Sequence, residues 1–143
     1  MKKGFVVIVF ILGLSFFYSS CNRNNQVVPY VAIDTYLNLN LPAYINLNGI
    51  GGWEYVSGGN NGLIVYRQTQ NVFMVYDRYC TYNIDGSCGG ADVDSTNITV
   101  SCDCDGSQYQ IFDGAVIQGP ATTNLHQYRS DYDELNNTLH IYN

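Results

Sequence analysis

The chain has 143 residues, 12 acidic against 6 basic, and is rich in Tyr (13) and Gly (14), with 5 Cys. A net charge of −6 excludes nucleic acid as a natural partner, because phosphate binding needs a basic surface. The length suits a single domain with a real core, and no internal repeat argues for a solenoid or a propeller.

The amino terminus reads MKKGFVVIVFILGLSFFYSSC. Lys2 and Lys3 precede an apolar run from Phe5 to Phe17, shorter than the roughly 20 residues of a membrane-spanning helix and flanked like a secretion signal. Residues 1–20 are therefore predicted to be a signal peptide, set apart from the fold. The sequence Tyr18-Ser19-Ser20-Cys21 resembles a lipobox, with Tyr18 where that motif usually has Leu. The resemblance implies a lipid anchor at Cys21 and a bacterial cell-envelope protein. The acidic run that resembles a surface-export signal in such lipoproteins is not found after Cys21, which points to the periplasmic face of the outer membrane. Residues 21–27, with the polar run NRNNQ, read as a flexible tether, so membrane contact would come through the lipid. Without Lys2 and Lys3 the mature chain carries −8, unsuited to an anionic lipid surface.

Residues 28–143 remain for the domain, and their pattern is that of strands. In VAIDTYLNL, the residues Val31, Ile33, Thr35, Leu37 and Leu39 alternate with Ala32, Asp34, Tyr36 and Asn38, the period of a half-buried strand. Trp53 reads as a sheet-packing aromatic. Two strands, Leu63 to Arg67 and Val72 to Tyr76, flank a short polar turn. Asp113-Gly114 lies between two more, and a last hairpin turns near Asn136-Asn137. No long stretch carries the helical period. The expected class is all-β, a sandwich or small barrel of short antiparallel strands.

Two irregular segments hold the remaining cysteines, Cys80 and Cys88 in the first, Cys102 and Cys104 in the second. Their spacings do not match the paired C-x2-C of a zinc ribbon. Disulfides are the natural alternative in an exported chain. Four cysteines allow three pairings, and a bridge between Cys102 and Cys104 would close a strained small ring, which leaves two pairings open. Asp92, Asp94, Asp103 and Asp105 would offer calcium its oxygen ligands if the loops converged, but they show no calcium-loop spacing and read better as solvated carboxylates. His126 and His140 fall in the C-terminal hairpin as strand residues. There is no Gly-rich phosphate loop and no Ser/His/Asp constellation, so no enzymatic activity is predicted.

The second cysteine segment, CDCDGSQYQIFDGAVIQGPA, carries a specific resemblance. It looks like part of a Rieske domain, whose 2Fe-2S cluster is held by C-x-H on one loop and C-x-x-H on another. On that resemblance Cys80 and Cys102 fall on the cysteine ligand positions, while Tyr82 and Asp105 occupy the two histidine positions. Ser107 and Tyr109 match the family residues that hydrogen-bond the cluster and its ligand sulfur, and Pro120, in Gly119-Pro120-Ala121, matches the shielding proline loop. Cys88 and Cys104 fall on the loop-to-loop disulfide of respiratory-type members, which leaves Cys80 and Cys102 facing each other. Two thiolates on one metal have sulfurs roughly 3.8 Å apart, and a modest contraction makes them a bond of about 2.05 Å. The resemblance thus implies a Rieske-like β domain whose metal site has become a staple. Neither metal nor cofactor is predicted, and the expected role is a non-catalytic structural or partner-binding module with an unidentified envelope protein as its partner. The alternative is an electron-transfer protein with an atypically ligated 2Fe-2S cluster, whose added negative charge would favour the oxidised state.

Overall fold

A computed structural model of the chain describes residues 28–82 and 87–143. The signal segment, Cys21 and the tether lie outside the described residues, as do residues 83–86. Among the described residues, six strands form one antiparallel sheet: β1 (Asp34–Asn38), β2 (Trp53–Val56), β3 (Leu63–Arg67), β4 (Phe73–Asp77), β9 (Gln127–Asp133) and β10 (Thr138–Tyr142), in the order β1-β10-β9-β4-β3-β2. A second sheet runs in chain order through β5 (Asp92–Val93), β6 (Thr99–Ser101), β7 (Gln108–Gln110) and β8 (Val116–Gln118). The all-β class is as the sequence predicts. No helix of the described residues is long and apolar enough to cross a membrane.

The β3–β4 hairpin is buried on both faces and so organises two cores. Leu63, Val65, Phe73 and Val75 pack with Leu37, Leu39, Leu47, Tyr128, Leu139 and Ile141. From the opposite face Ile64 and Tyr76 pack with Val100, Tyr109, Ile111 and the buried cysteines. Two-sided burial explains why GLIVY and VFMVY read as continuous apolar runs rather than alternating ones. Each such aliphatic side chain contributes about 1.5–3 kcal/mol by leaving water. The second core lies between the sheets, and the cysteine loops grow out of it.

Several boundaries differ from the sequence reading. The first strand begins at Asp34 rather than Val31, although its alternation holds: Leu37 and Leu39 are buried and Tyr36 and Asn38 exposed. The Asn143 side chain replaces strand pairing there, accepting from the Ile33 amide at 3.1 Å and donating to the Val31 carbonyl at 2.8 Å. The fourth strand is Phe73–Asp77, one residue later than the predicted Val72 to Tyr76. A 3₁₀ segment, Pro42–Asn48, has no helical period to betray it. Its last carbonyls, of Leu47 and Asn48, accept from the buried Arg67 guanidinium at 2.9 and 3.2 Å. Arg67 also donates to Gln70 and lies over the Phe73 ring at 5.0 Å, so a buried cation is satisfied by carbonyls and an aromatic face. The strand β5 lies at the end of the first cysteine segment, which read as irregular throughout, because two residues show no period.

Candidate functional site

The first cysteine segment leaves β4 through Arg78, which ties the two sheets together. Its Nε donates to the Ala91 carbonyl at 2.9 Å, its guanidinium pairs with Asp92 and it lies over the Tyr55 ring at 4.1 Å. Tyr55 in turn donates to Asp92 at 3.1 Å and accepts from the Val93 amide at 2.8 Å, and burial pushes its hydroxyl pKa up. Tyr79 pairs with Gly90 in an isolated antiparallel bridge, so the segment returns on itself and brings Cys88 back toward Cys80.

The second segment is the loop of the β6–β7 hairpin. The Cys102 amide donates to the Ser107 carbonyl at 2.9 Å, and the Gly106 amide donates to the Cys102 carbonyl at 2.8 Å. Gly106 takes φ +78°, which the turn requires and a side chain would resist. Asp105 Oδ1 accepts from the Ser107 amide at 2.7 Å, which turns Oδ2 toward Cys104 Sγ, 3.7 Å away.

These two loops face each other across two disulfides. Cys80 joins Cys102 with Cα atoms 6.0 Å apart, and Cys88 joins Cys104 with Cα atoms 5.7 Å apart. This is the pairing the family resemblance implies. The first bridge is buried, while Cys104 of the second is exposed. The sulfurs of Cys80, Cys88 and Cys104 and one Asp105 carboxylate oxygen all lie within 4.8 Å of one another.

A third loop closes over the pair. The buried Ser107 hydroxyl accepts from the Ala121 amide at 2.9 Å, holding Gly119-Pro120-Ala121 against the second cysteine loop. The Tyr109 hydroxyl meets that of Thr81 at 2.9 Å, and Thr81 donates to the Thr123 carbonyl at 2.6 Å. The two hydroxyls that the resemblance assigns to a cluster and its sulfur therefore serve here to join the three loops. Thr81 and Thr123 carry no motif in the sequence that marks this role.

The four aspartates of the cysteine segments do not converge. Asp92 is taken by Arg78 and Tyr55, Asp94 accepts from Thr96 within its own turn, and Asp103 is exposed; among these four only Asp105 joins the sulfurs. His140 lies on β10, stacked on Tyr36 with centroids 4.1 Å apart and 2.7 Å from Asp34, and His126 packs edge-on against Tyr128. Neither belongs to the sulfur group.

The donors do not fit a cluster of the C-x-H, C-x-x-H kind as they stand. The two sulfurs that the resemblance places at the ligand positions are bonded to each other, which removes the thiolates, and on the same resemblance a phenol and a carboxylate would stand in for the two imidazoles. Tyr82 is also 45% exposed. The family model described as Rieske [2Fe-2S] domain matches residues 51–129, more than half of the chain. No curated protein matches it.

Proposed function

The chain belongs to the Rieske [2Fe-2S] domain family, and from that premise we propose that it is a bacterial cell-envelope lipoprotein whose domain works without a cluster, as a structural or partner-binding module. The observation that carries this reading is the Cys80–Cys102 bond, which uses up the sulfurs the family gives to iron. Tyr82 and Asp105 in place of the histidines support it, since two anionic ligands would make a cluster a poor electron acceptor. The lipid on Cys21 holds the domain at the periplasmic face of the outer membrane, and residues 22–27 give it reach. An acidic mature chain favours a protein partner in the envelope over nucleic acid.

The test is iron and acid-labile sulfide content, with a visible spectrum, of full-length protein isolated from its own membranes. The reading requires a colourless, iron-free protein. Stoichiometric iron and sulfide would replace it with an electron-transfer role, with Cys80, Tyr82, Cys102 and Asp105 as the ligands. Anchoring is tested separately: Cys21→Ser should leave the membrane fraction or accumulate unprocessed, and normal anchoring of that variant would remove the lipoprotein assignment.

A further inference from the structure

The two disulfides differ in access and lie within reach of one another. Cys80 and Cys102 are 1% and 0% exposed, so external thiols do not meet the inner bridge. In the outer bridge Cys88 is 7% exposed and Cys104 is on the surface. Cys104 is therefore the sulfur an external thiolate can attack. The Asp105 carboxylate 3.7 Å from Cys104 Sγ opposes negative charge on that sulfur, so the leaving thiolate is Cys88. Cys88 Sγ lies within 4.8 Å of Cys80 Sγ, at most about 3 Å from bonding distance.

We propose that the two bridges form a thiol–disulfide relay, in which a dithiol reductant attacks Cys104 and Cys88 passes the electron pair inward to the Cys80–Cys102 bridge. The reductant's first thiolate bonds to Cys104 and Cys88 departs as thiolate. Its second thiolate then attacks the first, forming the oxidised reductant and releasing Cys104. Cys88 next attacks Cys80, forming Cys80–Cys88 and expelling Cys102 as thiolate. Cys104 attacks Cys88, restores the outer bridge and releases Cys80. The two protons of the dithiol end on Cys80 and Cys102, so one dithiol is oxidised and one inner bridge is reduced. The outer bridge is thus a redox entry point for a dithiol of small-molecule or protein origin, and the Asp105 charge restrains it.

The relay needs the Cys80–Cys102 bridge on which the proposed function also rests, but metal analysis tests that reading and thiol mapping tests this one. Full-length protein is treated with one equivalent of dithiothreitol, quenched in acid at intervals, alkylated and mapped by mass spectrometry. The expected intermediate is a Cys80–Cys88 bridge with Cys102 and Cys104 both alkylated. Asp105→Asn should speed opening of the outer bridge a few-fold at low salt. In the Cys88→Ala, Cys104→Ala double variant the inner bridge should open at least about tenfold more slowly than in the parent. Faster opening there would mean that the outer bridge is only a shield, and would overturn the relay. If the double variant does not fold, Cys104→Ser decides: Cys88 should exchange into a Cys80–Cys88 bridge without added reductant. An unshuffled Cys80–Cys102 bridge beside a free Cys88 would overturn it.

Discussion

The hydroxyl of Tyr128 donates to the buried carboxylate of Asp77 at 3.0 Å, joining β9 to the end of β4. The same carboxylate accepts from the Asn60 amide at 2.8 Å, the Asn60 side chain at 3.0 Å and the Tyr79 amide at 2.9 Å. It is solvated by the protein in place of water, and in return it holds the loop before β3 and the entry to the first cysteine segment. Burial first, and then the Asp77 charge, push the Tyr128 hydroxyl pKa above the ordinary tyrosine value. Tyr128→Phe should therefore lower unfolding stability by about 1.5–3 kcal/mol, the cost of losing a hydrogen bond to a charged group. Urea unfolding of the two proteins gives the comparison, and a change below the fitting error would remove this network from the account of stability.

Gly59 approaches that carboxylate closely. It takes φ +62°, and a Cβ there would stand 2.5 Å from Asp77 Oδ2. Gly59→Ala should cost more than Gly106→Ala, because at Gly106, φ +78°, a Cβ meets nothing within 4 Å. The backbone term at Gly106 is about 1 kcal/mol, while Gly59 adds the displacement of a buried anion. Equal losses in thermal unfolding would contradict the close approach.

Tyr76 behaves in the opposite sense to Tyr128. Its hydroxyl is buried with no hydrogen-bond partner among the described residues, and burial raises its pKa above the ordinary tyrosine value. Tyr76→Phe should leave stability unchanged or raise it by up to about 1–3 kcal/mol, since the desolvated hydroxyl returns nothing. A loss of stability on calorimetry would show that the hydroxyl is in fact satisfied.

The bridges close segments with sequence separations of 22 and 16 residues. Replacing either pair by Ala should cost roughly 3 kcal/mol in the chain-entropy model. The inner pair should cost somewhat more, because its sulfurs also pack in the second core. Paired denaturation curves of the two double variants test this order.

Acid should weaken the fold from its turns. The Thr96 hydroxyl holds the Asp94 pKa below its ordinary value, and the Asn136 side chain does the same for Asp133. A carboxylate whose pKa falls on folding contributes stability that is full above its unfolded value of 3.8 and is lost as pH drops through the lower folded value. The unfolding midpoint should thus decline below about pH 4, and Asp94→Ala should flatten that decline. Both carboxylates are solvent-facing, so the slope should also shrink in high salt. An acid limb unaltered by Asp94→Ala and Asp133→Ala together would assign it to other groups.

Local regularities carried much of the fold into the sequence. The alternation from Val31 to Leu39, the apolar runs of β3 and β4, Asp113-Gly114 and Asn136-Asn137 each act through neighbours in the chain, so strand, turn and hairpin were legible without knowledge of the rest. The disulfide pairing was legible too, but through the resemblance to a family, since spacing by itself left two pairings open. Tertiary structure alone decided the contacts whose partners are distant in sequence: Arg78 with Ala91 and Tyr55, Thr81 with Tyr109 and Thr123, and Asp77 with Tyr128, 51 residues away. It also decided that one bridge is buried and its neighbour exposed, with sulfurs of both inside 4.8 Å. A loop carries no period, so its side chains have no direction until the sheets that anchor its ends are paired. Burial, and with it access to a reductant, follows only from that pairing.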